Sequence, residues 1–97
     1  MNTIDDWREK IDDVDRKLVE LLNRRASYVD EIGKIKEQLN LEAYSPQREE
    51  QVLYNVLEAN KGPLTAEALR RLFERIIDES RKLEREAMLE RKKNRFH

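Results

Sequence analysis

The sequence predicts an all-α chain of three helices, the first of them very long, assembled as an intertwined homodimer. Three observations carry that reading. Apolar residues recur every three or four positions from Ile4 to Leu39 (Ile4, Trp7, Ile11, Val14, Leu18, Leu21, then Tyr28, Ile32, Ile35, Leu39), the period of a helix seam. The 97 residues include only two glycines and two prolines, and Gly62-Pro63 falls at a break in the pattern. Finally, the first helix is too long for its own chain to cover. At 1.5 Å per residue it spans roughly 50–55 Å, whereas a compact chain of this size has a radius of gyration of about 13 Å. A seam of that length stays wet unless a second chain lies on it.

Helix 1 is expected to begin after Asn2 or Thr3, with Asp5 and Asp6 favourable at its positive end. It runs to about Leu39, with Gly33 on its flank. Residues 40–44 form a linker. Helix 2 opens at Ser45-Pro46, an N-cap followed by proline at the first helical position. It buries Val52, Leu53, Val56 and Leu57, and is expected to stop at Lys61-Gly62-Pro63 with the glycine as C-cap. Thr65 caps helix 3, whose stripe runs Leu69, Leu72, Phe73, Ile76, Ile77, Ser80, Leu83, Glu84, Ala87. From Glu90 the apolar period is lost in Arg-Lys-Lys-Asn-Arg. Residues 1–90 therefore read as one helical domain, and residues 91–97 as a frayed, solvated basic tail.

Charged residues make up 42% of the chain, yet the formal net charge is -1. A nucleic-acid binder carries a surplus of positive charge, so nucleic acid is not the expected partner. No run approaches the length of a membrane span and no apolar segment follows Met1, so a soluble cytoplasmic protein is expected. The absence of cysteine removes thiol nucleophiles and thiolate metal sites. The one histidine is the last residue, His97, which argues against imidazole acid–base chemistry and His-ligated metals. Gly33 and Gly62 are too far apart to make a phosphate-cradling loop. Arg, Lys, Glu and Ser remain, with no cofactor expected.

Where a leucine belongs on the first seam, the chain places Arg25. A cation there costs several kcal/mol unless an anion meets it. Lys36 lies eleven residues further on, which at 100° per residue is within about 20° of the same direction and roughly 16 Å along the axis. Arg8 is about 25 Å back along the helix and about 100° around it, so only the Arg8 of an antiparallel partner could reach that gap. Helix 2 contributes Arg48 and Glu49 in its first turns, where a helix N-terminus beside an arginine suits a carboxylate. Helix 3 contributes Ser80 and Glu84 from its inward stripe. Each has an ordinary explanation. Seam arginines set register or snorkel to solvent; Lys36 reads as a flank residue; Arg48 beside Glu49 and Glu50 reads as an exposed salt-bridge cluster. Ser80 reads as a small filler, and Glu84, among Arg81, Lys82 and Arg85, as a surface carboxylate. Taken together, however, all three helices turn polar groups inward, as a polar pocket requires.

The order of the motifs Arg8-Glu9-Lys10-Ile11, Arg24-Arg25, Gly33-Lys34-Ile35-Lys36, Pro46-Gln47-Arg48-Glu49-Glu50 and Leu72-Phe73-Glu74-Arg75-Ile76-Ile77-Asp78-Glu79-Ser80, with Asp15 between the first two, resembles the all-helical class of chorismate mutases over residues 4–88. The resemblance implies an intertwined dimer with two equivalent sites, and conversion of chorismate to prephenate toward phenylalanine and tyrosine. It implies that Arg25, Arg48 and the partner's Arg8 hold the two substrate carboxylates. Lys36 and Glu84 would face the ether oxygen, and Glu49 would take the ring hydroxyl with help from the backbone near Ser45. Ser80 would lie close to a substrate carboxylate, and Ile32, Val52 and Ile77 would be apolar wall. Two positions depart from the usual pattern: position 84 can be glutamine in well-known members, though some other relatives have glutamate as here, and position 45 is often aspartate. The same residues leave other readings open. These are isochorismate pyruvate lyase on the same scaffold, a regulatory module of this type that binds prephenate or a partner enzyme, and a plain helical dimerisation module. Association with another shikimate-pathway enzyme is a further partner that the resemblance allows.

Overall fold

The computed structural model describes residues 3–95, so Phe96 and His97 of the basic segment lie outside it. Three helices follow one another: α1 (Ile4–Gln38), α2 (Pro46–Ala59) and α3 (Ala66–Arg95). α1 begins in a reciprocal cap: Thr3 Oγ1 accepts from Asp6 N at 3.2 Å, and Asp6 Oδ2 accepts from Thr3 N at 3.0 Å. Asn40, with φ 58°, ends it. Asn40 N donates to Glu37 O and Leu41 N to Lys36 O, at 3.2 and 2.8 Å, the paired bonds of a Schellman motif with asparagine in the left-handed position. This reversal folds the linker back along the last turn of α1.

α2 starts as expected, with Ser45 as N-cap and Pro46 at the first turn. Its end differs from the expectation. The helix stops at Ala59, and Asn60 rather than Gly62 is the C-cap. Asn60 organises the connection, accepting from Gly62 N at 3.0 Å and donating to Leu64 O at 2.9 Å. Gly62 takes φ 77°, a left-handed conformation that glycine adopts at little cost. Thr65 then caps α3, its Oγ1 accepting from Ala68 N at 3.1 Å.

α3 is the central element: it packs against both α1 and α2, which do not pack against each other. Contacts run in the same order along α1 and α3 (Arg25 with Ser80, Lys36 with Glu84, Glu37 with Arg91), so these helices are parallel. The molecule is elongated, 61 × 29 × 15 Å with a radius of gyration of 17.3 Å. Among the described residues Ile77, at 6% exposure, is the one apolar side chain that the chain buries by itself. The seam of α1 is exposed along its length: Trp7, Ile11, Val14, Leu18 and Leu21 are each about half accessible or more. No helix among the described residues is long and apolar enough to cross a membrane.

Three expectations change. Gly33 is not on the flank of α1 but is the buried residue of that helix, where α3 crosses it. A Cβ there would stand 3.1 Å from Glu84 Cγ and 3.4 Å from Arg91 Nη2. Leu72 and Leu83 stay exposed, because the inward line of α3 advances through Phe73, Ile77, Ser80, Glu84 and Ala87 to Arg91. Nor does α3 fray at Glu90. Lys92, Lys93 and Arg95 occupy its last turn, where cations oppose the negative end of the helix dipole. Arg91 is anchored: Nε donates to Glu37 Oε2 at 2.8 Å and Nη1 to Asp30 Oδ1 at 3.1 Å. The Glu37 hydrogen bond raises the Arg91 pKa above its ordinary value against the effect of burial, with Asp30 adding to it.

Arg91→Met should therefore lower stability by about 1–2 kcal/mol, because it strands the part-buried Glu37 and leaves Asp30 with Lys34 alone, 3.7 Å away. Lys93→Met, in the same basic run but with no ion-pair partner among the described residues, should change stability by less than about 0.5 kcal/mol. Paired thermal or urea melts check the contrast; equal effects would mean that Arg91 is only solvated tail.

Candidate active site

α1 and α3, with the linker and the first turns of α2, enclose a cleft of about 270 Å³. α1 brings Arg25, Ile32 and Lys36 to it; the linker and α2 bring Ser45, Arg48, Glu49 and Val52; α3 brings Ile77, Ser80 and Glu84. Arg8 is elsewhere. It projects from the exposed start of α1 with Asp5 3.7 Å away, its side chain 72% exposed. The remaining lining includes Ala43 of the linker and one charged residue that the sequence did not single out, Arg81.

The cations fall into two kinds. Arg25 and Arg48 have neutral partners. Arg25 Nη1 donates to Ser80 Oγ, and Ser80 Oγ donates in turn to Ile76 O at 2.7 Å, the backbone carbonyl one turn earlier. Arg48 Nη1 donates to Gln51 Oε1 at 2.7 Å along α2. Burial, and then the nearby charge of Arg48, lower the Arg25 pKa below the usual guanidinium value. Two guanidiniums repelling each other in a cleft, with only a hydroxyl and an amide as partners, favour an anion between them.

Lys36 and Arg81 have carboxylate partners instead. Lys36 Nζ donates to Ala43 O at 2.8 Å, which ties the linker to α1. It also stands 3.0 Å from Glu84 Oε1 as an ion pair. Glu84 is 6% exposed, and its Oε1 is buried with its hydrogen-bonding capacity unused. Arg81 holds Glu49 with two parallel bonds, Nε to Oε2 at 2.9 Å and Nη2 to Oε1 at 3.0 Å. The cleft thus carries four basic and two acidic side chains, a surplus of two positive charges. Among the described residues no group of three or more His, Cys, Asp and Glu converges to hold a metal ion.

Two residues of this arrangement escaped the sequence reading. Arg81 follows Ile77 by four positions and precedes Glu84 by three, so helical spacing alone puts it on the inward face; the surrounding charged run masked it. Gly33 had no local signal, since a glycine that admits a neighbouring helix looks the same in sequence as one facing solvent.

The family model described as "Chorismate mutase type II" matches residues 7–85. The bifunctional chorismate mutase/prephenate dehydratase of Neisseria gonorrhoeae is 38% identical over 78 residues, 80% of this chain and 21% of that protein. The chain therefore spans about a fifth of the length of the curated relatives it matches. Solved structures agree over nearly their whole length. Chorismate mutase (form II) from Thermus thermophilus superposes with a TM-score of 0.82 at 38% identity, covering 84% of this chain and 93% of that one. Chorismate mutase from Helicobacter pylori, solved in complex with prephenate, gives 0.81 at 28% identity, covering 90% and 94%. Three helices in this order, a cationic cleft between them, and agreement with these proteins in both sequence and fold lead to one conclusion: the chain belongs to the chorismate mutase type II family.

Proposed function

We propose that the chain rearranges chorismate to prephenate, and that it does so as a homodimer in which each cleft receives Arg8 of the partner subunit. The observation that carries this reading is the cleft's division of cations: two guanidiniums with neutral hydrogen-bond partners among the described residues, and one part-buried ammonium beside a carboxyl group. A Claisen rearrangement is unimolecular and needs no nucleophile. The work is to hold a flexible dianion folded so that its ends meet, and to stabilise charge as the ether bond breaks. Arg25 and Arg48 are suited to clamp carboxylates through their planar forks. Ser80, already the acceptor for Arg25, offers a hydroxyl beside the same carboxylate. Lys36, fixed by Ala43, is placed to meet the negative charge that grows on the ether oxygen. Ile32, Val52 and Ile77 supply the apolar wall, and Glu49 and Ser45 stand where a ring hydroxyl would be met.

The dimer follows from what the chain leaves uncovered. Exposed apolar seam residues run from Ile4 to Leu39, interrupted at Arg25, and an apolar face of that length favours a second chain against it. Arg8, about 25 Å along the same helix from Arg25, can serve a cleft only across such an interface. Loss of chorismate absorbance on incubation with the protein tests the activity. Prephenate as product supports it; unchanged chorismate, with isochorismate converted to salicylate and pyruvate, would assign the lyase reaction instead.

Sedimentation should show a dimer at micromolar concentration, and a folded monomer there would rule it out. Refolding an Arg8→Ala chain with an Arg25→Ala chain should restore one intact site per heterodimer; no recovery would mean that Arg8 is not supplied in trans.

Lys36→Met should lower kcat by about 100- to 1000-fold, the usual effect of losing one donor to a developing anion, with a much smaller rise in KM. Weak binding with near-normal kcat would contradict that role.

A carboxylate accepts hydrogen bonds and cannot donate them, so Glu84 serves an ether oxygen only in its protonated form. Glu84→Gln, a permanent donor of similar shape, should sustain turnover, whereas Glu84→Ala, which removes the donor, should lower kcat on the order of 100-fold. An unchanged kcat in Glu84→Ala would remove Glu84 from the reacting centre.

A further inference from the structure

One side chain ties α2 to α3 across the cleft. Arg81 meets both oxygens of Glu49, at 2.9 and 3.0 Å. A fork of this kind fixes the plane of the carboxylate as well as its place. The guanidinium is itself held on other sides: Nη2 also donates to Asp78 Oδ1 at 3.0 Å, and Cζ stands 4.8 Å from the centre of the Tyr44 ring. Both partners are about three-quarters buried, 29% and 25% exposed, and both line the cleft.

Two properties of the pair bear on a ligand. Each Glu49 oxygen spends one acceptor direction on Arg81 and keeps another, so the carboxylate remains able to accept a hydroxyl proton. The charge of Glu49 is also cancelled where it stands. Without Arg81 the cleft would hold three basic and two acidic side chains, and an uncompensated carboxylate would face an incoming dianion.

We infer that Arg81 is a positioning residue for hydroxyl recognition: it presents Glu49 as an oriented, charge-cancelled acceptor, so that the cleft selects the ring hydroxyl of its dianionic substrate without repelling the dianion. The inference rests on the reading of the cleft as a chorismate site. Charge and orientation are separable. The charge of Arg81 governs how tightly any dianion binds, whereas its fork governs preference for a substrate that carries the hydroxyl.

The test uses the full chain, with initial rates on chorismate and on its analogue lacking the ring hydroxyl, and calorimetric titration with prephenate. Arg81→Gln removes both charge and fork; KM for chorismate should rise on the order of tenfold with kcat changed far less. Arg81→Lys keeps the charge and loses the fork; KM should stay near that of the wild type while the preference for chorismate over the analogue falls. Adding Glu49→Gln to Arg81→Gln should recover part of the lost affinity, because the exposed negative charge is gone. A purely structural Arg81 would move the melting temperature and leave the preference and the coupling untouched. The inference is overturned if Arg81→Gln leaves KM and preference unchanged. It is equally overturned if Arg81→Gln weakens binding by the same factor with Glu49 or Gln at position 49, the signature of Arg81 gripping a substrate carboxylate directly. Normal wild-type turnover with either result defeats the inference alone. A wild-type chain that neither consumes chorismate nor binds prephenate defeats the reading of the cleft and the inference with it.

Discussion

The cleft depends on how closely α3 can lie against α1 at Gly33. With no side chain at that point, Glu84 Cγ would come within 3.1 Å of a Cβ, so Glu84 packs directly on the helix backbone. From there its carboxyl reaches Lys36, one turn further along α1, at 3.0 Å. The same approach lets Arg25 find Ser80 two turns earlier and Arg91 find Asp30 and Glu37 at the other end. A side chain at position 33 would press first on Glu84 and Arg91, the two residues through which α3 grips this part of α1. Arg91 lies beyond the residues matched by the family model, yet it closes the far end of this crossing.

Much of this was legible in the sequence because it depends on local rules. Thr3, Ser45-Pro46 and Thr65 mark helix starts through capping chemistry that acts over three or four residues, and the structure places helix starts at all three. Arg25 stood out because it breaks a period, and Ser80 and Glu84 because they turn an apolar stripe polar. What was not legible depends on a neighbour distant in sequence. Gly33 matters only because α3 crosses it. Arg91 looked like part of a charged tail because its carboxylate partners are more than fifty residues away. Asn60 displaced the expected glycine cap because its amide could bond both Gly62 and Leu64, a choice that propensity does not rank.

The partners of the cleft's cations separate two tasks. Arg25 and Arg48 are given hydrogen bonds without opposite charge, from Ser80 and Gln51. They are thereby oriented but not neutralised, a costly state for the half-buried Arg25, whose lowered pKa reflects burial and the repulsion of Arg48. Lys36 and Arg81 are paired with carboxyl groups and so hold the frame of the cleft in the absence of any ligand. Stability has been given up at the first pair and retained at the second, the usual division at sites built to bind charge.

The near absence of a private core has a consequence for how such a chain exists in a cell. With Ile77 as the one apolar side chain it buries alone among the described residues, the chain has little to fold around before it meets another. On the dimeric reading, folding and association are a single bimolecular event, and stability becomes a property of the solution as much as of the sequence: each tenfold dilution removes about 1.4 kcal/mol. Fusion of such a helical unit to larger domains would then do more than combine functions. By keeping two copies near one another, an attached domain that dimerises would raise their effective concentration and relieve the unit of its dependence on abundance.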